Sequence, residues 1–124
     1  MTLNDYQNKA MTTCMESCKN FSYMFLNLVG EVGEFASKVA KAIRKKDVAI
    51  VPDGLLTTLE GEDFDNAYNA LKKEAGDILW QLAGLCAFMG WSLEDVARTN
   101  LDKLAARKAA GTIDGNGDGI IREK

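Results

Sequence analysis

The sequence predicts an all-α protein, a four-helix bundle completed by homo-oligomerisation. Three observations carry this. Apolar residues recur at three- and four-residue steps, helix start and stop signals bracket those stretches, and the only proline falls between two of them. No internal repeat and no apolar/polar alternation of strand type interrupts the pattern. The 124 residues, 47% hydrophobic and 27% charged, fit one domain over 1–124.

Thr2 with Asp5 three residues on reads as a capping box that opens a first helix running to about Lys19, with Asn20 as a weak break. From Phe21 to about Asp47, the residues Phe25, Leu28, Val32, Phe35, Val39 and Ile43 form one apolar stripe of a long second helix. Its last turns carry Lys41, Arg44, Lys45 and Lys46, cations that oppose the helix dipole. Val48 to Asp63 holds Val51-Pro52-Asp53-Gly54 and reads as a loop with room for one helical turn at Leu55 to Leu59. A third helix spans about Phe64 to Met89 and stops at Gly90. Ser92 and Asp95 form a second capping box, with Trp91 and Val96 placed as a hydrophobic staple, and the fourth helix runs to Ala110 before Gly111. From about 111 the chain is a Gly-rich polar tail.

Beyond Asp77 the third helix is apolar nearly all round, through Ile78, Leu79, Trp80, Leu82, Leu85, Phe88 and Met89. Such a helix is enclosed by neighbours, and a homodimer with this helix in its core is the natural completion. The uncharged run Ile78 to Leu93 is shorter than the ~20 apolar residues that cross a bilayer, so no membrane partner is expected. Trp80, at helical spacing among Leu and Phe, reads as core or dimer interface.

Composition excludes several chemistries. The chain has no His, which removes Ser-His-Asp and Cys-His catalysis, His-containing zinc sites and Glu-x-x-His di-iron bundles. A net charge of −3 gives no basic footprint for a nucleic acid duplex. Cys14, Cys18 and Cys86 read as buried, reduced thiols of a cytoplasmic protein. The first residues lack the basic and apolar regions of a secretory signal.

Carboxylates remain. Glu31 and Glu34 lie three apart on the second helix, Glu74 and Asp77 three apart on the third, and each pair therefore shares a helix face. Spacing alone is weak, since chance gives about two or three acidic pairs at this separation in such a chain. Context adds weight. Asn27, Glu31, Glu34 and Lys38 border the apolar stripe, and Gly30 and Gly33 flank them as if another helix or a ligand came close. If the two helices pack antiparallel, four carboxylates converge. An oxygen-only cluster suits a hard cation, with Mg²⁺ the physiological choice; a solvated acidic face is the competing reading. Asp114 to Gly119 matches the start of a calcium-binding loop, but its twelfth-position Glu would fall beyond the last residue, so calcium is not expected.

Leu28-Val29-Gly30-Glu31-Val32-Gly33-Glu34 and Lys73-Glu74-Ala75-Gly76-Asp77-Ile78-Leu79-Trp80 resemble the E-x-x-E and E-x-x-D segments of MazG-type nucleotide pyrophosphohydrolases. Asn100-Leu101-Asp102-Lys103-Leu104 with Arg107, then Gly111-Thr112-Ile113 and Gly117-Asp118, resemble that family's C-terminal segments. The resemblance covers about residues 2 to 118. It implies an all-α dimer or dimer of dimers, with Mg²⁺, or Mn²⁺ in its place, held by Glu31, Glu34, Glu74 and Asp77. The implied reaction is hydrolysis of a nucleoside triphosphate to monophosphate and pyrophosphate, in nucleotide-pool sanitation or balance. Glu31 and Glu34 are then the catalytic candidates, and Lys38, Asn100, Lys103 and Arg107 the candidates for gripping phosphates. Two departures stand out: Gly30 replaces a Glu common in the family, and Gln81 replaces an aromatic residue that often follows the Trp. They leave open a catalytically silent nucleotide-binding helical dimer, alongside a related phosphoribosyl-ATP pyrophosphatase or all-α dUTPase.

Overall fold

A computed structural model describes residues 1–111. The segment from Thr112 onward, with the Gly-Thr-Ile and Gly-Asp motifs and the calcium-loop match, lies outside the described residues. Four helices, α1 (Leu3–Met11), α2 (Phe21–Arg44), α3 (Gly61–Phe88) and α4 (Leu93–Ala110), are joined by a 3-10 turn at Glu16–Cys18 and a β-hairpin. The fold is thus mostly helical with one small sheet.

The first capping box forms as the sequence implies, and the second in half, through the Ser92 hydroxyl alone. Thr2 Oγ1 accepts from the Asp5 amide at 3.0 Å while Asp5 accepts from the Thr2 amide, and Ser92 Oγ accepts from the Asp95 amide. Gly111 ends α4 at φ 75°, a left-handed position that favours glycine. The first helix is shorter than its pattern implied. Thr12 and Thr13 turn their hydroxyls back onto the Lys9 and Ala10 carbonyls, a local pairing that competes with helix continuation. Asn20 caps α2 instead of breaking α1, accepting from the Tyr23 amide at 2.8 Å.

The expected 48–63 loop is corrected to a hairpin. Strands β1 (Val48–Val51) and β2 (Gly54–Thr57) pair antiparallel with Val48 opposite Thr57 and Val51 opposite Gly54, so Pro52-Asp53 is the turn. No helical turn forms at 55–59. Val-Ala-Ile-Val is apolar on both faces, which hides the two-residue period that would have announced a strand.

α2 and α3 pack antiparallel: Met24 lies against Gly84, Glu31 beside Asp77 and Glu74, and Lys38 beside Glu74. α1 and α4 close one end of this pair. Gln7, buried on α1, donates to the Ala83 and Trp91 carbonyls and accepts from the Leu93 amide, so one side chain ties α1, α3 and α4 together. Trp80 Nε1 donates to the Ala10 carbonyl and Thr13 Oγ1, holding α3 to the end of α1.

The buried apolar set among the described residues is small: Met24, Ala83, Cys86 and Leu93. Met24, absent from the expected stripe, is the buried residue of α2, whereas Phe25, Val32 and Ile43 are exposed. On α3, Leu79, Leu82, Phe88 and Met89 are likewise exposed, so the described chain does not enclose that helix. Cys86 is buried as expected, but Cys14 and Cys18 are only half-buried, because the segment that holds them is a turn at the surface and not a helix in the core. All three are free thiols.

Candidate functional site

The sequence places polar groups directly in the seam between α2 and α3. On α2 the half-buried or buried positions run Met24, Asn27, Leu28, Glu31, Phe35 and Val39; on α3 they include Leu71, Glu74, Ile78, Gln81 and Gly84. The antiparallel register brings three carboxylates together. Glu31, Glu74 and Asp77 each offer an oxygen within 4.8 Å of the others. Oxygens on neighbouring positions of one octahedral Mg²⁺ stand about 3 Å apart, from its ~2.0 Å bonds, so the three carboxylates would close by up to about 2 Å to share an ion.

The electrostatics match that crowding. Burial first, then the charges of Asp77, Glu74 and Glu34, push the Glu31 carboxyl above its ordinary value. Glu74 is relieved by Lys38, whose Nζ stands 3.6 Å from Glu74 Oε1. Burial and the Asp77 charge raise the Tyr6 phenol, and a hydrogen bond with Cys18, followed by weaker effects that include Glu31, raises Tyr23. Tyr6 on α1 and Tyr23 on α2 thus both feel the charge of the carboxylate group.

The site residues expected from sequence divide into three groups. Glu31, Glu74 and Asp77 are brought together. Glu34 is exposed and outside that trio, one turn along from Glu31 and near enough to act on its charge. Lys38 joins the group through Glu74. Asn100, Lys103 and Arg107 stand on α4, which packs chiefly on α1. The close approach expected at Gly30 and Gly33 is absent among the described residues. A Cβ added at either would meet nothing within 4 Å; the tight glycine is Gly84, where it would lie 2.5 Å from Met24 Sδ.

Sequence reasoning missed Gln7, and it singled out Gln81 without expecting its burial. Gln7 is structural. Gln81, one turn beyond Asp77, is buried with its Oε1 lacking any hydrogen-bond partner; its place among Asp77, Ile78 and Leu82 was the available signal. Past Lys38, in the other direction, an apolar cavity of about 410 Å³ opens between the hairpin and the helices, lined by residues including Val39, Leu55, Phe64, Tyr68 and Leu71.

Fold and site together define a small α-helical protein with a candidate divalent-cation centre between two antiparallel helices. Residues 19–111 match the MazG nucleotide pyrophosphohydrolase domain, and the chain belongs to that family. It is also similar to the Gene 37 protein of Mycobacterium phage L5, 38% identical over 103 residues that cover 83% of this chain and 79% of that protein. No solved structure matches. No helix among the described residues is long and apolar enough to cross a membrane.

Proposed function

We propose that the protein is a Mg²⁺-dependent hydrolase that splits a nucleoside triphosphate into monophosphate and pyrophosphate, acting in nucleotide-pool sanitation or balance. The observation that carries this is the convergence of Glu31, Glu74 and Asp77 in a chain of the pyrophosphohydrolase family. Three carboxylate oxygens with no His or Cys among them suit a hard cation. Glu31, Glu74 and Asp77 would hold Mg²⁺, with Mn²⁺ as a substitute. When bound, such an ion neutralises phosphate oxygens and makes an attacking water more acidic.

The chain's own residues supply the rest. Glu34, exposed beside the trio, is free of the ligating geometry and suits the role of accepting a proton from water, with Glu31 as the other candidate. Lys38 offers positive charge to the polyphosphate at the edge of the cluster. The family resemblance adds Asn100, Lys103 and Arg107 as phosphate ligands carried on α4. Cleavage between the α- and β-phosphates requires little beyond positioning and charge neutralisation.

A homodimer completes the molecule in this reading. Phe21, Phe25, Val29 and Val32 leave an exposed apolar stripe along α2, while Leu79, Leu82 and Phe88 do the same on α3. Exposed apolar stripes of this kind mark surfaces that pack against a partner. The test of function is a panel of ribo- and deoxyribonucleoside triphosphates with and without Mg²⁺, with products identified. Monophosphate and pyrophosphate are expected. Diphosphate and phosphate, or no turnover of any triphosphate, would overturn the reading; tight binding without turnover would favour a regulatory binding module.

A further inference from the structure

We propose that the apolar cavity under the hairpin is a second ligand site, for a small apolar acid whose carboxylate draws Lys38 away from Glu74 and so tightens cation binding at the carboxylate trio. The site itself is independent of any hydrolysis. The coupling rests on the cation centre proposed above.

The room comes from small residues. Ala42 on α2 and Ala67 and Ala70 on α3 line the cavity where larger side chains would fill the seam, and Leu55 of the hairpin bounds it from the other side. Phe64 and Tyr68, stacked with ring centroids 5.7 Å apart, add an aromatic wall. Leu55 and Tyr68 are more than half exposed, so the cavity opens to solvent and an occupant has a way in. Its volume of about 410 Å³, at about 30 Å³ for each water-sized group, holds a body of about a dozen non-hydrogen atoms.

Polarity selects the occupant's chemistry. Lys38 is the one charged residue lining the cavity among the described residues, and the Thr57 hydroxyl already donates to the Asp47 carbonyl. A base or a sugar would leave polar edges unpaired there; an apolar body with one anionic head would not. Nor is the ammonium committed elsewhere. Its Nζ stands 3.6 Å from Glu74 Oε1, too long for a hydrogen bond, and the Lys38 side chain is 47% exposed.

The same lysine joins the cavity to the trio. Lys38 and a bound cation compete for the negative charge of Glu74, so an acid that neutralises the ammonium removes that competition. Linkage makes the effect reciprocal, the cation tightening the acid by the same factor. About fivefold is expected, the low end of such couplings, because the pair is partly solvated.

The test is calorimetric titration of the full chain with phenylacetate, 3-phenylpropionate, 4-phenylbutyrate and 4-phenylbutyramide, with and without Mn²⁺. The longest acid should bind about tenfold more tightly than its amide, the worth of one charge-assisted hydrogen bond. Each methylene along the series should lower Kd about threefold. Saturating Mn²⁺ should tighten 4-phenylbutyrate about fivefold. Ala67→Leu, which fills part of the cavity, should weaken the acid at least tenfold and keep the parent's Mn²⁺ affinity and melting temperature. Lys38→Gln should bind acid and amide alike, hold Mn²⁺ about fivefold more tightly than the parent and lose the coupling.

Binding that ignores chain length or survives Ala67→Leu would be adhesion to exposed apolar surface and would overturn the proposal, as would coupling retained in Lys38→Gln. Sedimentation separates the rival occupant. A parent dimer that the acid or Ala67→Leu dissociates would give the cavity to a second copy and overturn the ligand site. A parent that binds the acid through Lys38 and the cavity, yet binds no Mn²⁺, would sustain the site and sink the cation centre together with the coupling.

Discussion

The α2/α3 register that assembles the carboxylates is set at one tight place, and Gly84→Ala perturbs it. An alanine Cβ there would lie 2.5 Å from Met24 Sδ and 2.7 Å from its Cε. Met24 is 1% exposed, and its thioether, the flexible end of the side chain, would have to give up its packing on α3 for the adjoining cavity of about 200 Å³ that it lines with Cys14 and Phe88. Replacing Gly by Ala in a helix interior gains about 1 kcal/mol, while overpacking a filled core costs about 1–3 kcal/mol. The net should be a loss of about 1 kcal/mol. Gly76 sits on the same helix with nothing within 4 Å of an added Cβ, so Gly76→Ala keeps the gain without the cost. For a chain of 124 residues, about 2.1 cal/mol/K of unfolding entropy per residue makes 1 kcal/mol worth about 4 °C. Gly84→Ala should therefore melt about 4 °C below the parent and Gly76→Ala about 4 °C above, by calorimetry in chelator. Because the clash pushes α2 off α3, Gly84→Ala should also weaken Mn²⁺ binding. Equal shifts of one sign for the two variants would show that Met24 does not pin α2 against α3.

Three further outcomes are expected. Saturating Mg²⁺ or Mn²⁺, at a hundred times Kd, should stabilise the folded protein by about 2.7 kcal/mol and raise its melting point by about 10 °C, a gap that Asp77→Asn closes and Glu60→Gln leaves alone. The Glu31 carboxyl, raised from its ordinary 4.5, holds its proton more tightly folded than unfolded; stability of the metal-free protein should fall as pH rises through that raised value and stay low above it. Denaturant titrations at stepped pH should show this fall in the parent and not in Glu31→Gln, which should be the more stable at neutral pH. Leu82→Asp should convert a sedimenting dimer into a monomer, and a parent already monomeric would contradict the proposed assembly.

How much was legible in the sequence follows from the range of each signal. Helix ends built by neighbours, such as Thr2 with Asp5, Ser92 with Asp95 and Gly111, depend on residues a few positions apart, and all three formed. The hairpin was not legible because its strands are apolar on both faces. The end of α1 turned on Thr12 and Thr13 competing for the backbone, a contest that periodicity does not register. The acidic pairs marked the right helices, but only the register separates Glu31, which faces α3, from Glu34 one turn on, which faces solvent. Gly30 and Gly33 drew notice as unusual helix residues, whereas the close approach fell at Gly84, where the partner is a methionine sixty residues away. Gln7 is invisible to patterning, since a polar residue on a buried face reads as an interruption until its partners are seen, and Gln81, noted beside Asp77 in the sequence, gave no sign there of its burial.

The central claim is that Glu31, Glu74 and Asp77 form a cation centre serving phosphoanhydride hydrolysis. Its most direct test is the rate of pyrophosphate release from the best triphosphate of the panel, by the parent and by Asp77→Asn, each titrated with Mg²⁺. The expected result is a Mg²⁺-dependent rate in the parent and a loss of at least a hundredfold, on the order of 3 kcal/mol of transition-state stabilisation, in Asp77→Asn with its fold intact. Pyrophosphate release that ignores Mg²⁺, or that Asp77→Asn sustains at the parent's rate, would contradict it.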